Sequence, residues 1–282
     1  MDKRDARGRP RRTALVLPVA VVLVLAACGG GAPPAPPAPP EDVVVRQGIE
    51  RILELSDVDG LLAGRARAFT RQVAIMLLDP TDEELERLVP AVLDAFDHEA
   101  LKEDVATRMA VDADPSVVSS VLEWMEAGST AAVRRIADGY EPPLTLEEYA
   151  TGYTEDPPSE ARVRLMAEWA EAQGRGDFFV LMQEALREAS FRVHDAMRGG
   201  APAFEPLDAD ELGVAQTSSH GASVITLLHR YETVPEPLVR RSIAEYRTES
   251  GQWFTEAYTL AVAQAIRAAG ERVADRLSDG GR

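Results

Sequence analysis

The chain has 282 residues, of which 47 are acidic and 30 are basic, so its formal net charge at pH 7 is −17. Such a charge repels phosphate groups, which argues against nucleic-acid binding and against attachment to anionic lipid through a basic patch. The single cysteine cannot form a disulfide within the chain. Residues 1–27 carry six basic and two acidic residues, so the remainder has a net charge of −21.

Residues 1–27 have the organisation of a secretory signal peptide. Lys3 and five arginines precede an apolar stretch from about Thr13 to Ala27, which ends in small residues. A membrane-spanning helix needs about 20 apolar residues, whereas this stretch has roughly 15 with Pro18 among them. The sequence therefore predicts an export signal and not a transmembrane helix.

The end of this signal resembles the lipobox of bacterial lipoproteins. The four residues are Leu25-Ala26-Ala27-Cys28, and the resemblance implies that Cys28 receives lipid, palmitate included, and becomes the membrane-anchored N-terminus. Gly29 stands where an aspartate would imply retention at the inner membrane. The outer membrane is therefore favoured if the cell has one, with the body in the periplasm or outside the cell. An ordinary cleavable signal and a twin-arginine signal at Arg11-Arg12 are the alternatives.

Residues 28–41 form a linker rich in glycine and proline. Three glycines supply a flexible joint, and the Ala-Pro-Pro repeat of residues 32–40 favours polyproline II. At about 3.1 Å per residue, this repeat would hold a folded body about 20 to 30 Å from a bilayer. We interpret the segment as a spacer; a proline-rich recognition ligand is the alternative.

After the linker, the apolar residues recur with helical spacing throughout, and no segment alternates for long enough to predict a strand. The sequence therefore predicts an all-α, multi-helix bundle. Capping boxes are expected at Thr81 and Thr145, each of which is followed three residues later by a glutamate. Pro90 lies inside an otherwise regular stripe, which predicts a kink or a division into two short helices.

We predict two related helical halves, residues 42–140 and 161–282, joined by a loop-rich region over residues 141–160. The segment that begins at Pro115 aligns at one fixed offset with the segment that begins at Pro237. The aligned pairs are Val117/Val239, Val121/Ile243, Glu123/Glu245 and Trp124/Tyr246. The alternative is a chance similarity, because proline at a helix start before an amphipathic pattern is common.

The second of these segments also resembles a known family. Residues 243–254 contain a helix that ends in an aromatic residue, a short turn with serine and glycine, and a second helix. This arrangement resembles the hallmark of the secreted bacterial domain-of-unknown-function 2059 family. Residues 96–101 and 121–125 are similar to the same pattern in the first half, where Ala127-Gly128-Ser129 departs from the usual Ser/Pro-x-Gly turn.

This resemblance covers residues 43–137 and 223–277. It implies a helix–turn–helix fold and a place in the cell envelope. The family has no established activity, so the resemblance implies no chemistry.

The turn between the two C-terminal helices contains an aromatic cluster, which we define as Tyr246, Trp253 and Phe254. Gly251 is expected to adopt positive φ as a C-terminal helix cap. Trp253 and Phe254 are then expected to fold back onto Tyr246. The cluster is either part of the core or a docking site for a partner protein.

Residue types that could carry chemistry do not converge on one site. No two of the four histidines stand four residues apart, so the sequence indicates no zinc-protease helix. Asp208 begins a poor match to a calcium loop, since Ser219 replaces the glutamate at its twelfth position; Asp208 is expected to cap a helix instead. Residues 218–223 lack the spacing of a nucleophile elbow and are expected to precede a helix. The sequence thus predicts no catalytic residue, cofactor or metal site.

These observations predict a non-enzymatic lipoprotein of the cell envelope. In this hypothesis the helical body, anchored at Cys28, docks another envelope protein through the aromatic cluster. The alternative is a carrier of a small apolar ligand, or an enzyme, with a cavity between the halves lined by residues such as Phe179, Met182, Trp169 and Tyr231. A large apolar cavity would favour the carrier, and an exposed aromatic patch would favour docking.

Overall fold

The computed structural model describes residues 40–56, 58–62, 64–155, 157–200 and 203–279, except for the side chains of Asp59 and Asp279. The predicted signal peptide, the lipidated Cys28 and the linker up to residue 39 lie outside the described residues. Those assignments therefore stay predictions.

The described residues form α-helices and contain no strand, which confirms the all-α prediction. The helices are α1 (Glu41–Leu55), α2 (Val58–Leu62), α3 (Arg65–Leu77), α4 (Asp82–Ala95), α5 (His98–Ala110), α6 (Pro115–Glu126), α7 (Ser129–Asp138), α8 (Leu146–Gly152), α9 (Glu160–Ala172), α10 (Arg175–Arg198), α11 (Ala209–Arg230), α12 (Glu236–Tyr246) and α13 (Glu249–Asp279). None of these helices is sufficiently long and apolar to cross a bilayer.

Side-chain caps set several of the helix starts. The capping boxes at Thr81 and Thr145 are confirmed at the starts of α4 and α8. Asp208 caps α11 as expected, with Glu211 completing a third capping box. Residues 218–223 were expected to precede a helix, and this was wrong. They lie inside α11, because Asp208 starts that helix further upstream.

Pro90 lies on the exposed side of α4. The helix runs unbroken from Asp82 to Ala95, so the predicted division into two short helices was wrong. Proline lacks the N–H that would bind the Glu86 carbonyl four residues earlier. On this exposed side, water can bind that carbonyl in its place.

The helices build two hydrophobic cores, and the described residues form one compact unit. The larger core is formed by α1–α6, α10 and α13, and the smaller by α7, α9, α11 and α12. Both cores therefore draw residues from both sides of the loop region 141–160. The most extensive helix–helix contact is between α10 and α13, and α13 also packs against α4, α5 and α6.

The two segments aligned in sequence lie against each other. The rings of Trp124 and Tyr246 make an edge-to-face contact with centroids 5.0 Å apart. The Ser242 hydroxyl contacts that of Thr130 at 2.7 Å, at the start of α7. The hydroxyl of the aligned residue, Ser120, contacts that of Ser250 at 3.1 Å, at the start of α13. Each segment thus contacts the helix that follows the other.

Glu245 caps the start of α7 from a distant part of the chain. Its Oε1 accepts a hydrogen bond from the Ser129 N–H at 2.6 Å, and its Oε2 accepts from the Thr130 N–H at 2.8 Å. A Cβ at Gly128 would lie 2.6 Å from Oε1 and also 2.6 Å from the backbone carbonyl oxygen of Trp124, so glycine is needed at this position. The carboxylate also complements the positive end of the helix dipole.

The expectation of a positive φ at Gly251 was wrong. Gly251 lies in the first turn of α13 and is not among the residues with positive φ. A Cβ at Gly251 would lie 2.5 Å from the Tyr246 carbonyl oxygen and 2.7 Å from its carbon. Glycine is therefore required here by the close approach of α12 and α13, and not by a left-handed turn.

Glu84 ties the start of α4 to the end of α10. Its carboxylate accepts hydrogen bonds from Arg198 Nε at 2.6 Å and Nη2 at 2.8 Å. The Thr81 backbone N–H donates to the same carboxylate at 2.8 Å. The Arg198 hydrogen bonds, followed by the Thr81 N–H, lower the pKa of Glu84 to about 2.

We expect the contribution of Glu84 to stability to depend on pH. Because the pKa is lower in the folded state than its ordinary value of 4.5, the stabilisation is present above about pH 4.5 and is lost as the pH falls towards 2. At pH 7, Glu84→Gln should unfold at a lower temperature than the wild type. This difference in unfolding temperature should shrink below pH 4.5. Glu86→Gln, an exposed change in the same helix, is the control. A difference that stays constant with pH would contradict this assignment.

Candidate functional site

A cavity of about 320 Å³ lies where the two cores meet, and we call it the aromatic cavity. It is partly open to solvent and falls at the lower end of the size range of small-molecule sites, about 300–1,000 Å³. Its lining residues are widely spaced in the sequence, from Leu55 at the end of α1 to Thr259 in α13. The lining residues are Leu55, Ser56, Leu61, Met125, Thr130, Val133, Arg134, Trp169, Gln173, Arg175, Phe178, Phe179, Arg230, Tyr231, Tyr246, Phe254, Thr255, Tyr258 and Thr259.

Aromatic rings form much of the wall and hold one another in place. Phe178 and Phe254 each stack on Tyr258 with ring centroids 5.6 Å apart. The rings of Trp169 and Tyr231 also make an edge-to-face contact, with centroids 4.8 Å apart. Such ring pairs add rigidity to the wall beyond their area burial. A flat apolar molecule could therefore find preformed surfaces to pack against.

The structure brings most of the predicted cavity residues together. Trp169, Phe179 and Tyr231 line the aromatic cavity, as expected for the carrier hypothesis. Met182 does not line it and is buried in the larger core instead. One turn separates Met182 from Phe178 on α10, and only the residues nearest the start of the helix reach the cavity.

The aromatic cluster proposed for docking is divided between the core and the cavity. Phe254 is 5% exposed, and both Phe254 and Tyr246 line the aromatic cavity. Trp253 is partly buried against the larger core and does not line the cavity. Two of the three residues thus face the interior of the molecule.

Three arginines lie in the wall of the aromatic cavity, and among the described residues that line it none is acidic. Arg134 donates to the backbone carbonyls of Leu55, at 2.6 Å, and Met125, at 3.3 Å. Arg230 lies at the rim with its side chain 46% exposed, 3.7 Å from an Asp138 carboxylate oxygen. The lining is therefore positively charged in a chain whose net charge is strongly negative.

Arg175 is the mostly buried member of this set. Its Nε donates to Gln173 Oε1 at 2.6 Å. Burial lowers the pKa of Arg175, and the groups that partly offset this effect are the hydroxyls of Tyr231, Tyr246 and Tyr258. No carboxylate of the described residues is among the groups with the largest effect on its pKa.

Tyr246 and Trp169 contribute polar groups to the same wall. Burial raises the pKa of the Tyr246 hydroxyl, while the charge of Arg175 and a hydrogen bond from Gln173 act in the opposite direction. Trp169 Nε1 is buried, and no acceptor among the described residues lies within hydrogen-bonding distance of it. A buried donor without a partner is costly, so a ligand acceptor or a water at this position would relieve that cost.

A second depression, the acidic groove, adjoins the aromatic cavity and shares Thr255 and Thr259 with it. Its volume is about 410 Å³, and it contains the carboxylates of Asp177, Glu184 and Glu256. The two depressions therefore have opposite charge. In the described part of the chain, no cluster of three or more His, Cys, Asp or Glu side chains is arranged to hold a metal ion.

The sequence did not predict that arginines line the aromatic cavity. The run Gly174-Arg175-Gly176 is typical of a break between helices, and α10 begins there, with Gly174 at φ 60°. The local sequence does not indicate that Arg175 is buried, and its hydrogen-bond partner Gln173 lies only two residues earlier. The burial of Arg175 depends on α11, α12 and α13, which no local pattern brings together.

No family model, curated protein or solved structure matches this chain. The resemblance to the secreted bacterial family and to lipoprotein signals therefore stays a prediction made from the residues quoted above.

Proposed function

We propose that the helical body binds a small molecule with an apolar body in the aromatic cavity. Lipid on Cys28 would tether this body to the cell envelope, as the sequence predicts. The observation that supports the proposal is a partly enclosed cavity with seven aromatic side chains in its lining, positioned between two otherwise packed cores. Close-packed interiors contain few voids of this size, so a retained cavity indicates a binding site.

The same geometry makes protein docking through the aromatic cluster the weaker proposal. Docking requires an exposed apolar patch, whereas Phe254 is 5% exposed and faces the cavity together with Tyr246. Two of the three residues of the aromatic cluster, Tyr246 and Phe254, therefore support small-molecule binding instead. Among the described residues that line the cavity, none pairs a nucleophile with a base, so we propose binding and not catalysis.

Binding of 2-naphthol, a neutral fluorescent aromatic probe, tests this proposal. The full-length chain in a neutral detergent is titrated with the probe, and detergent alone serves as the blank. We expect saturable binding to the wild type and loss of binding in Thr259→Trp, because Thr259 is 7% exposed and its replacement would fill the aromatic cavity.

Leu260→Trp is the matched control. Leu260 is the next residue in α13, is 53% exposed and lines the acidic groove but not the aromatic cavity. This variant should bind 2-naphthol as the wild type does, and thermal unfolding should show that both variants fold. Absence of saturable binding to the wild type, or equal loss in both variants, would overturn the proposal.

A further inference from the structure

We infer that the aromatic cavity selects a small organic anion, with a carboxylate or a similar planar acidic group held at Arg175 and an apolar body against the aromatic wall. This inference rests on the proposed function, since it names the class of ligand that the cavity would take. It is carried by the position of Arg175 together with the charge of the lining.

Three features of the site disfavour the positive charge of Arg175 in the absence of an anion. The guanidinium is mostly buried, and no carboxylate of the described residues is among the groups with the largest effect on its pKa. Arg175 is the first residue of α10, where the helix dipole is positive and no side chain caps the free N–H groups. Arg230 adds a second positive charge nearby. A bound anion would supply the negative charge that is missing beside the guanidinium, the start of α10 and Arg230.

The partners that Arg175 does have leave donors for a ligand. Gln173 Oε1 accepts from Nε of Arg175, and a guanidinium carries five N–H donors in a planar fork that matches a carboxylate. The hydroxyls of Tyr231 and Tyr246, and the unpartnered Nε1 of Trp169, lie in the same wall. These groups could complete the coordination of a small acidic head.

The acidic groove next to the cavity would repel the same ligand. This groove shares Thr255 and Thr259 with the aromatic cavity, and it contains Asp177, Glu184 and Glu256. An anion entering between the two depressions would therefore be directed to the arginines. Both depressions contain apolar side chains, so their opposite charges would direct an anion to the aromatic cavity.

A matched set of probes tests the inference on the full-length chain in neutral detergent. The probes are 2-naphthoate, 2-naphthamide, which has nearly the same shape without the charge, and inorganic phosphate, which has the charge without the apolar body. We expect 2-naphthoate to bind about tenfold or more tightly than 2-naphthamide, since hydrogen bonds to a charged group are stronger than those to a neutral one. Phosphate should compete poorly.

Substitution of Arg175 identifies the group that holds the anion. Arg175→Gln should weaken 2-naphthoate binding about tenfold or more and 2-naphthamide binding much less, so that the preference for the anion is lost, and Arg175→Lys should restore part of that preference. A merely structural arginine would lower stability on removal, whereas we expect Arg175→Gln to unfold at the wild-type temperature or above. Arg164→Gln, an exposed change in α9, is the control.

The outcomes separate this inference from the proposed function. If no naphthalene probe binds the wild type, the proposed function itself is wrong. If 2-naphthamide binds as tightly as 2-naphthoate, or if Arg175→Gln leaves the preference unchanged, the cavity binds ligands but the selection for an anion is wrong. If phosphate binds as tightly as 2-naphthoate, the apolar body has no part in recognition and the inference is overturned.

Discussion

Replacement of Phe254 by alanine is expected to lower the free energy of unfolding by about 3–5 kcal/mol, the usual cost of removing a buried aromatic ring. Phe254 is 5% exposed, and its ring contacts those of Trp124, with centroids 6.1 Å apart, and Tyr258, at 5.6 Å. Its removal would leave a void between α6 and α13 that neighbouring rings cannot fill without moving. Urea unfolding followed by circular dichroism measures this effect.

Two comparisons make this result informative about function. Leu260→Ala, an exposed change in the same helix, should cost less than about 1 kcal/mol. Trp253→Ala should cost less than Phe254→Ala, since Trp253 is only partly buried. If Phe254→Ala leaves stability within about 1 kcal/mol of the wild type, the ring is not part of the core and the docking hypothesis regains its support.

Replacement of Gly270 by alanine is expected to destabilise the protein by about 1–3 kcal/mol, although alanine favours helices more than glycine does by about 1 kcal/mol. Gly270 lies where α13 packs closely against Ala189 of α10. A Cβ at this position would overlap the Cβ of Ala189 and lie 3.0 Å from its Cα. The two helices would have to separate, and they form the most extensive helix contact of the fold.

Gly221→Ala is the matched control, because Gly221 lies inside α11 and a Cβ there would meet no atom within 4 Å. This change should stabilise the protein by about 0.5–1 kcal/mol through helix propensity alone. Adding Ala189→Gly to Gly270→Ala should recover part of the lost stability. Equal stabilisation by both alanine substitutions would contradict the close approach of α10 and α13.

The helical character of the chain could be predicted because it depends on local patterns. The spacing of apolar residues is visible in the sequence. The capping boxes that start at Thr81 and Thr145 are visible too, because each involves residues only three positions apart. The same holds for Asp208, whose side chain caps a helix through N–H groups two and three residues later. Residues 218–223 were misplaced because small polar residues precede helices and also occur inside them.

The role of glycine depends on more than the local pattern. Gly251 was assigned a left-handed conformation from its place between two helices, yet it is helical and permits α12 and α13 to approach closely. Gly128 likewise permits the approach of Glu245, which is distant in the chain. A glycine in a sequence indicates backbone freedom or a close contact, and only the neighbours distinguish these two causes.

The sequence by itself determined that this protein is helical, where several of its helices begin, and that aromatic residues such as Trp169, Phe179 and Tyr231 were candidates for a cavity wall. Tertiary structure alone decided that α10 and α13 complete the core of α1–α6, that Phe254 faces inward, and that Arg175 is surrounded by tyrosines without a described carboxylate. The physical reason is the separation along the chain of the residues that interact. Capping and helical periodicity involve residues a few positions apart, whereas burial and the pairing of charges depend on helices that meet only when the whole chain packs.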